Sequence, residues 1–212
     1  MAELDTTNIA STSILTPASG VSATFVDTDK RLKTKTDAGY ILNASTFNNF
    51  STTAQTPAAA TRTYLTGSAL SVPAGKLQIG TLFRWTFNMT KTAAGSAAST
   101  IDIAFGTAGT TADTARVSFT KPAGTAAADE AFCTITAIVR GPLSASGVVV
   151  GTFQMTHNLS ATGHAVIPCV VVNNVSAAFD VTVANLIVGV CLTSGASDAI
   201  TIQQVTAEAL NL

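Results

Sequence analysis

Two histidines, His157 and His164, are the only imidazoles in the chain, and they bracket the run HNLSATGH. Nucleophilic catalysis needs a nucleophile, a base and an orienting group held together. Any such site would have to be built on one of these rings. Two His across a strand-to-strand turn can also clamp a metal with a nearby carboxylate. No Asp or Glu lies within fifteen residues of either His, so no metal is expected. Glycoside hydrolysis needs two carboxylates facing each other across a cleft. The chain has 12 acids, of which Asp102 and Asp180 read as lying on outward strand faces, and nothing pairs any two of them. G-x-S-x-G, the P-loop, G-x-G-x-x-G, H-E-x-x-H and C-x-x-C are all missing. The expectation is a protein that is not an enzyme and uses no cofactor.

The elements that would position these residues are strands. In Leu82–Met89, Phe83, Trp85, Phe87 and Met89 share one face, with Arg84, Thr86 and Asn88 on the other. That alternation marks a half-buried strand, and it makes the single Trp a core residue rather than an exposed sugar platform. Ile101, Ile103 and Phe105 alternate around Asp102, and Ala115, Val117 and Phe119 around Arg116 and Ser118. Cys133, Ile135, Ala137 and Val139 form another stripe, and Phe153 and Met155 another. Phe179, Val181 and Val183 alternate with Asp180 and Thr182, and further strands are predicted over 63–72, 166–172, 186–193 and 199–205. Gly-, Ala- and Thr-rich loops separate them at 91–99, 106–113 and 121–129. The pattern predicts an all-β, antiparallel jelly roll or β-sandwich of about 8–10 strands over residues 61–212, with no helix. Residues 1–60 lack sustained alternation and carry isolated large apolar residues, so they read as an extended N-terminal arm.

Composition narrows the function. Charged residues make up 11% of the 212, against roughly 25% in an average soluble domain. Mean hydropathy is +0.40, yet no window approaches the roughly 20 apolar residues of a membrane span, so no membrane partner is expected. Thr, Ser and Ala supply a neutral surface that desolvates more cheaply than Lys or Glu, which suits a subunit covered by neighbours. Seven of the 23 charges fall between Asp27 and Asp37, and none from Gly141 onward is basic. A net charge of −1 without a basic stripe argues against nucleic acid. The N-terminal MAELDTTNIAS has neither the basic nor the apolar region of a secretory signal. Cys133, Cys169 and Cys191, odd in number and set among apolar residues, read as buried free thiols.

The run GTLFRWTFNMTKTAAGSAASTIDIAFGTAGTTADTARVSFT, with TAAADEAFCTITAIVRG and AITIQQVTAEALNL, resembles the jelly-roll domain of minor structural proteins of tailed bacteriophages. FVDTDKRLKTKTDAG is similar to their N-terminal attachment segments. The resemblance implies a virion protein assembled in the host cytoplasm, typically a homotrimer, that decorates and cements the capsid. The implied partners are further copies of itself, the major capsid protein and other virion proteins. The arm would add strands to capsid subunits, with Phe25, Tyr40, Phe47 and Phe50 as anchors and Lys30, Arg31, Lys33 and Lys35 meeting acidic patches. The alternative is a head- or tail-fibre component whose jelly roll binds host-surface glycans.

Overall fold

The computed structural model describes residues 10–26, 32–43, 47–72, 75–197 and 199–212. The chain divides into two compact units, Met1–Phe47 and Asn48–Leu212. Among its described residues the first holds a 3-10 turn at Ser11–Ser13 and three strands, β1 (Ala23–Val26), β2 (Leu32–Lys35) and β3 (Ile41–Asn43). They pair antiparallel in the order β1-β2-β3. The β2–β3 connection is closed by Thr36, whose N–H donates to the Tyr40 carbonyl (2.9 Å) and whose hydroxyl accepts from the Tyr40 N–H (3.2 Å). Gly39 sits there at φ +83°, a conformation that favours glycine. Strands of three or four residues give too few alternations to stand out in a sequence, so this part of the expected extended arm is a short meander.

The second unit is an antiparallel β-sandwich. Its strands are β4 (Phe47–Ser51), β5 (Thr63–Tyr64), β6 (Leu70–Val72), β7 (Leu82–Lys91), β8 (Ser99–Gly106), β9 (Thr114–Lys121), β10 (Asp129–Val139), β11 (Val149–His157), β12 (Cys169–Val175), β13 (Leu186–Thr193) and β14 (Ile200–Leu210). A six-stranded sheet runs β12-β11-β10-β7-β14-β4, and a five-stranded sheet runs β5-β13-β8-β9 with β6 also on β13. Residues 48–60, expected in the arm, belong to this unit: β4 joins the larger sheet and Gln55 bridges Ile202.

Period-two alternation accounts for the packing. Phe83, Trp85, Phe87 and Met89 of β7 and Cys133, Ile135, Ala137 and Val139 of β10 are buried, as are Ile101, Ile103 and Phe105 of β8 on the opposite sheet. Aromatic pairs cross between the layers, Phe83 on Phe105 at 6.1 Å and Phe119 on Phe153 at 6.0 Å. Gly151 leaves room for that contact, because a Cβ there would stand 2.8 Å from Phe119. Trp85 Nε1–H donates to the Ser68 carbonyl at 2.8 Å, so the buried ring leaves no orphan donor.

Three further expectations, about individual strands, need correction. The 179–183 segment is not a strand: Phe179 and Val181 are buried, but only Phe179 makes an isolated bridge, to Gly147. The 63–72 strand is broken by a turn at Thr66–Gly67 into β5 and β6. Ala115 is exposed because a bulge between Ile103 and Ala104 breaks phase on β8–β9, leaving Val117 and Phe119 inward.

Substituting Trp85→Ala should lower the unfolding free energy by about 3–5 kcal/mol, while Thr134→Ala on the outer face of β10 should change it by less than about 0.5 kcal/mol. Urea titration followed by far-ultraviolet circular dichroism measures both. Equal costs would contradict this sidedness.

Candidate functional site: a sparsely charged sheet face and a buried polar end

In the first unit, register places Phe25 opposite Lys33 and Ala23 opposite Lys35, so these three candidates share one face of the meander. Phe25 is buried, and Lys33 and Lys35 are half-buried, the latter donating through Nζ to the Ile14 carbonyl. Tyr40 is half-buried at the β2–β3 turn. Lys30 and Arg31 lie outside the described residues, as does the side chain of Phe47. Phe50 belongs to the second unit and is 61% exposed.

In the second unit the two outer sheet faces differ. Over β8 and β13 the five-stranded face is covered by its own chain, while Ser118 and Thr120 of β9 are exposed. Arg62 donates from Nε and Nη2 to the two oxygens of Asp102 (3.0 and 2.6 Å) and from Nη1 to the Thr111 and Asp113 carbonyls (2.7 and 2.9 Å). Asp102 does lie on the outward face, but this clamp buries it. The Asp102 hydrogen bond raises the Arg62 pKa further. Tyr64 packs over Gly189, where a Cβ would meet its hydroxyl at 1.9 Å. Beneath them Cys191 is buried, and burial pushes its thiol up to about 12. Cys133 is also buried, whereas Cys169 is exposed on β12, contrary to expectation. It stands in the edge strand with its side chain on the outer face, which a stripe of neighbouring valines does not reveal.

The six-stranded outer face has no such cover among the described residues of the second unit. Register aligns four rows across β14, β7, β10, β11 and β12. The first is Gln204, Asn88, Phe132, Thr156 and Cys169; the second is Thr206, Thr86, Thr134, Gln154 and Val171. The third is Glu208, Arg84, Thr136, Thr152 and Asn173; the fourth is Leu210, Leu82, Ile138, Val150 and Val175. The only charges in these four rows, Arg84 and Glu208, form an ion pair with each other, and Glu130, one step beyond the first row, is a further charge on the face. The fourth row is wholly apolar, with Ile138 47% and Val175 54% exposed, and Ile79 beyond it is 63% exposed.

At the other end of the sandwich the inward stripes finish in polar residues. Lys91 continues Phe87 and Met89, Lys121 continues Val117 and Phe119, His157 continues Phe153 and Met155, and Asp129 precedes Ala131 and Cys133. All four meet there. Lys91 Nζ donates to the Thr125 and Gly163 carbonyls, and Lys121 Nζ to those of Pro122 (2.9 Å) and His164 (2.7 Å). His157 Nδ1 lies 2.6 Å from Asp129 Oδ2, and its Nε2–H donates to the Ile167 carbonyl at 2.6 Å. Asp129 also accepts from the His164 and Glu130 amides, at 2.9 Å each. Burial alone would raise its carboxyl, but these amides and the His157 ring hold it below the ordinary carboxylate range. Gly163, at φ +85°, fits because a Cβ would strike Asp129 at 2.1 Å.

A carboxylate thus reaches His157 from β10, although none is near it in sequence. Both His157 nitrogens are engaged, and among the described residues no group of three or more His, Cys, Asp or Glu is placed to hold a metal. His164 is fully buried with both ring nitrogens unpartnered, and desolvation, with a contribution from Lys121 and Lys91, lowers its pKa to about 4. Its ring lies edge-on to His157, 6.3 Å away. The cluster ties the 158–168 loop to the sandwich. Its members hold one another and present no nucleophile to solvent. Asp180 is exposed and accepts from the Thr182 amide and hydroxyl, which lowers its pKa. Among the described residues no helix is long and apolar enough to cross a membrane.

No family model and no curated protein matches this chain. Among solved structures, a protein of unknown function from Shewanella oneidensis MR-1 is similar at 10% identity, with a TM-score of 0.35, over 78% of this chain and 87% of that one.

His164 sets a pH dependence. Unfolding raises its pKa from about 4 to the ordinary 6.5, so the unfolded chain binds the extra proton between those values. Its contribution to stability is complete above pH 6.5 and is lost as pH falls toward 4. Urea midpoints measured across that window should fall for the natural protein and fall less steeply for His164→Phe. An identical slope in the two proteins would contradict this.

Proposed function

We propose that this chain is a structural subunit of a bacteriophage particle, a capsid decoration protein that self-associates and fastens to the head surface. The observation that carries the reading is the apolar row of Leu82, Ile138, Val150, Val175 and Leu210 at one end of a sheet face, separated from Glu130 at the other end by rows whose two charges neutralise each other. Exposed β-sheet that lacks charge invites association with other protein surface, and soluble monomers normally avoid it. Ile138 and Val175 are about half exposed, so covering each contributes about half of the full-burial value, roughly 1 kcal/mol.

In this reading the first unit is the attachment element. Phe25, Lys33 and Lys35 share one face of its meander, and Lys30 and Arg31 are adjacent in sequence. Attachment units presented side by side by an oligomer bind multivalently, so a weak contact by each gives firm attachment overall. Binding the folded shell and not its opened form stabilises it by mass action. The cluster of Lys91, Lys121, Asp129 and His157 serves the same end, since it rigidifies the sandwich rather than performing chemistry.

Adding the purified protein to heads that lack it should raise the temperature at which they burst, measured by nuclease access to the packaged DNA. A variant lacking residues 1–47 should neither sediment with heads nor raise that temperature. Heads equally robust with and without the natural protein would contradict the cementing role.

A further inference from the structure

The sparsely charged outer face of the six-stranded sheet has a second feature at the end opposite its apolar row. Three two-residue steps at about 3.3 Å per residue place Phe132 about 20 Å from Ile138. Beside Phe132 the face dips into a groove of about 530 Å³, open to solvent. Asn88, Thr90, Glu130, Phe132, Asn158 and Gln203 line it, and its lining contains no Lys or Arg.

Two local devices build this groove. The first is a β-bulge on β14: register slips between Ile202 and Gln204, so Gln203 and Gln204 are both exposed while Ile202 and Val205 stay buried. Bulges re-aim side chains in this way. Gln203 then donates through Nε2 to the Thr90 hydroxyl at 3.0 Å, which fixes its amide along the groove. The second is the polar cluster beneath. His157, held by Asp129 and the Ile167 carbonyl, forms part of the lining, and the Asn158 amide N–H donates to the Glu130 carbonyl at 3.1 Å. Asn158 and Glu130 are therefore placed by backbone bonds. The side chains of Asn88, Glu130 and Asn158 make no hydrogen bond or ion pair to the described residues, and they stand ready for a ligand.

We propose that this groove binds a neutral pyranose saccharide. The lining chemistry selects the ligand class. With no Lys or Arg in its lining and the Glu130 carboxylate part of it, the groove disfavours phosphate, sulfate and carboxylate. With a single exposed ring among polar neighbours it cannot desolvate a large apolar ligand. Three primary amides supply a donor and an acceptor on one planar fork, and Glu130 supplies an acceptor. That set matches adjacent hydroxyls, each of which donates and accepts. Phe132, 50% exposed, offers its electron-rich face to the polarised C–H face of a sugar ring. Such a groove on a preformed sheet orders little on binding, and its openness keeps each site weak, in the millimolar range. The site does not rest on the assembly reading. It uses different residues at the far end of the same face.

The test is saturation-transfer NMR on the full chain with D-glucose, D-galactose, N-acetyl-D-glucosamine and N-acetyl-D-galactosamine as probes and myo-inositol as the polyol control. At least one pyranose should bind saturably, with transfer strongest at ring C–H protons, and inositol should not. Phe132→Ala should weaken that binding about tenfold, ~1.4 kcal/mol, and Glu130→Gln by a smaller factor. Gln154→Ala, elsewhere on the face, should bind normally. Far-ultraviolet circular dichroism verifies that each variant is folded. No saturable binding by any of the four sugars, equal binding by inositol, or undiminished binding by Phe132→Ala would overturn the proposal. Head attachment by Phe132→Ala reads the assembly role separately, because that residue lies outside the apolar row.

Discussion

The alternation of β7, β10 and β11 is the constraint from which the rest follows. These long strands bury one set of side chains against the smaller sheet, where Phe83 meets Phe105 and Phe153 meets Phe119. Because the period is two, the intervening residues must then all face the other way. The inward set fixes the register, and the register aligns the outward set into rows. The outward set is therefore aligned as regularly as the inward one, and within the described residues of the second unit no segment covers it. The five-stranded sheet meets the same geometric demand differently, since Arg62 and Tyr64 fold over Asp102, Gly189 and Cys191. Within this unit one face is partly closed by its own chain and the other is left open.

The two ends of the larger sheet then diverge. At one, the outward row is aliphatic. At the other, the inward stripes end in Lys91, Lys121, Asp129 and His157, whose charges are met by one another and by loop carbonyls. Removing one partner from such a buried group leaves the remainder uncompensated, so the cluster tolerates little change. It holds the 158–168 loop, and through Asn158 and Glu130 it steadies the wall of the polar groove. Stability at that end and a binding geometry on the surface share the same residues.

Much of this was legible in the sequence. The long strands stand out because Phe83, Trp85, Phe87 and Met89 repeat often enough to declare a face, and the buried Trp85 follows from that phase alone. Shorter elements were hidden: β1, β2 and β3 offer too few alternations, and the 1–60 arm therefore concealed both a meander and the strand β4. The 179–183 segment alternates without being a strand, because burial of Phe179 and Val181 needs only a loop pressed against the sandwich. The polar cluster was within reach, since Lys91, Lys121, Asp129 and His157 each continue an inward stripe by one more step. What no linear reading gave is that Asp129 meets His157, because that pairing depends on β10 lying beside β11. The β14 bulge is invisible for the same reason: Gln203 and Gln204 differ from ordinary exposed residues only in the register of a neighbouring strand.

The claim on which the functional account turns is that other polypeptide covers the apolar row. Light scattering of the purified chain during size exclusion tests it most directly. The account predicts a mass that is a whole multiple, greater than one, of the 21.5 kDa chain, and a fall to the single-chain mass when Ile138→Asp places a charge in the row. A single-chain mass for the natural protein, unchanged by that substitution, would contradict it.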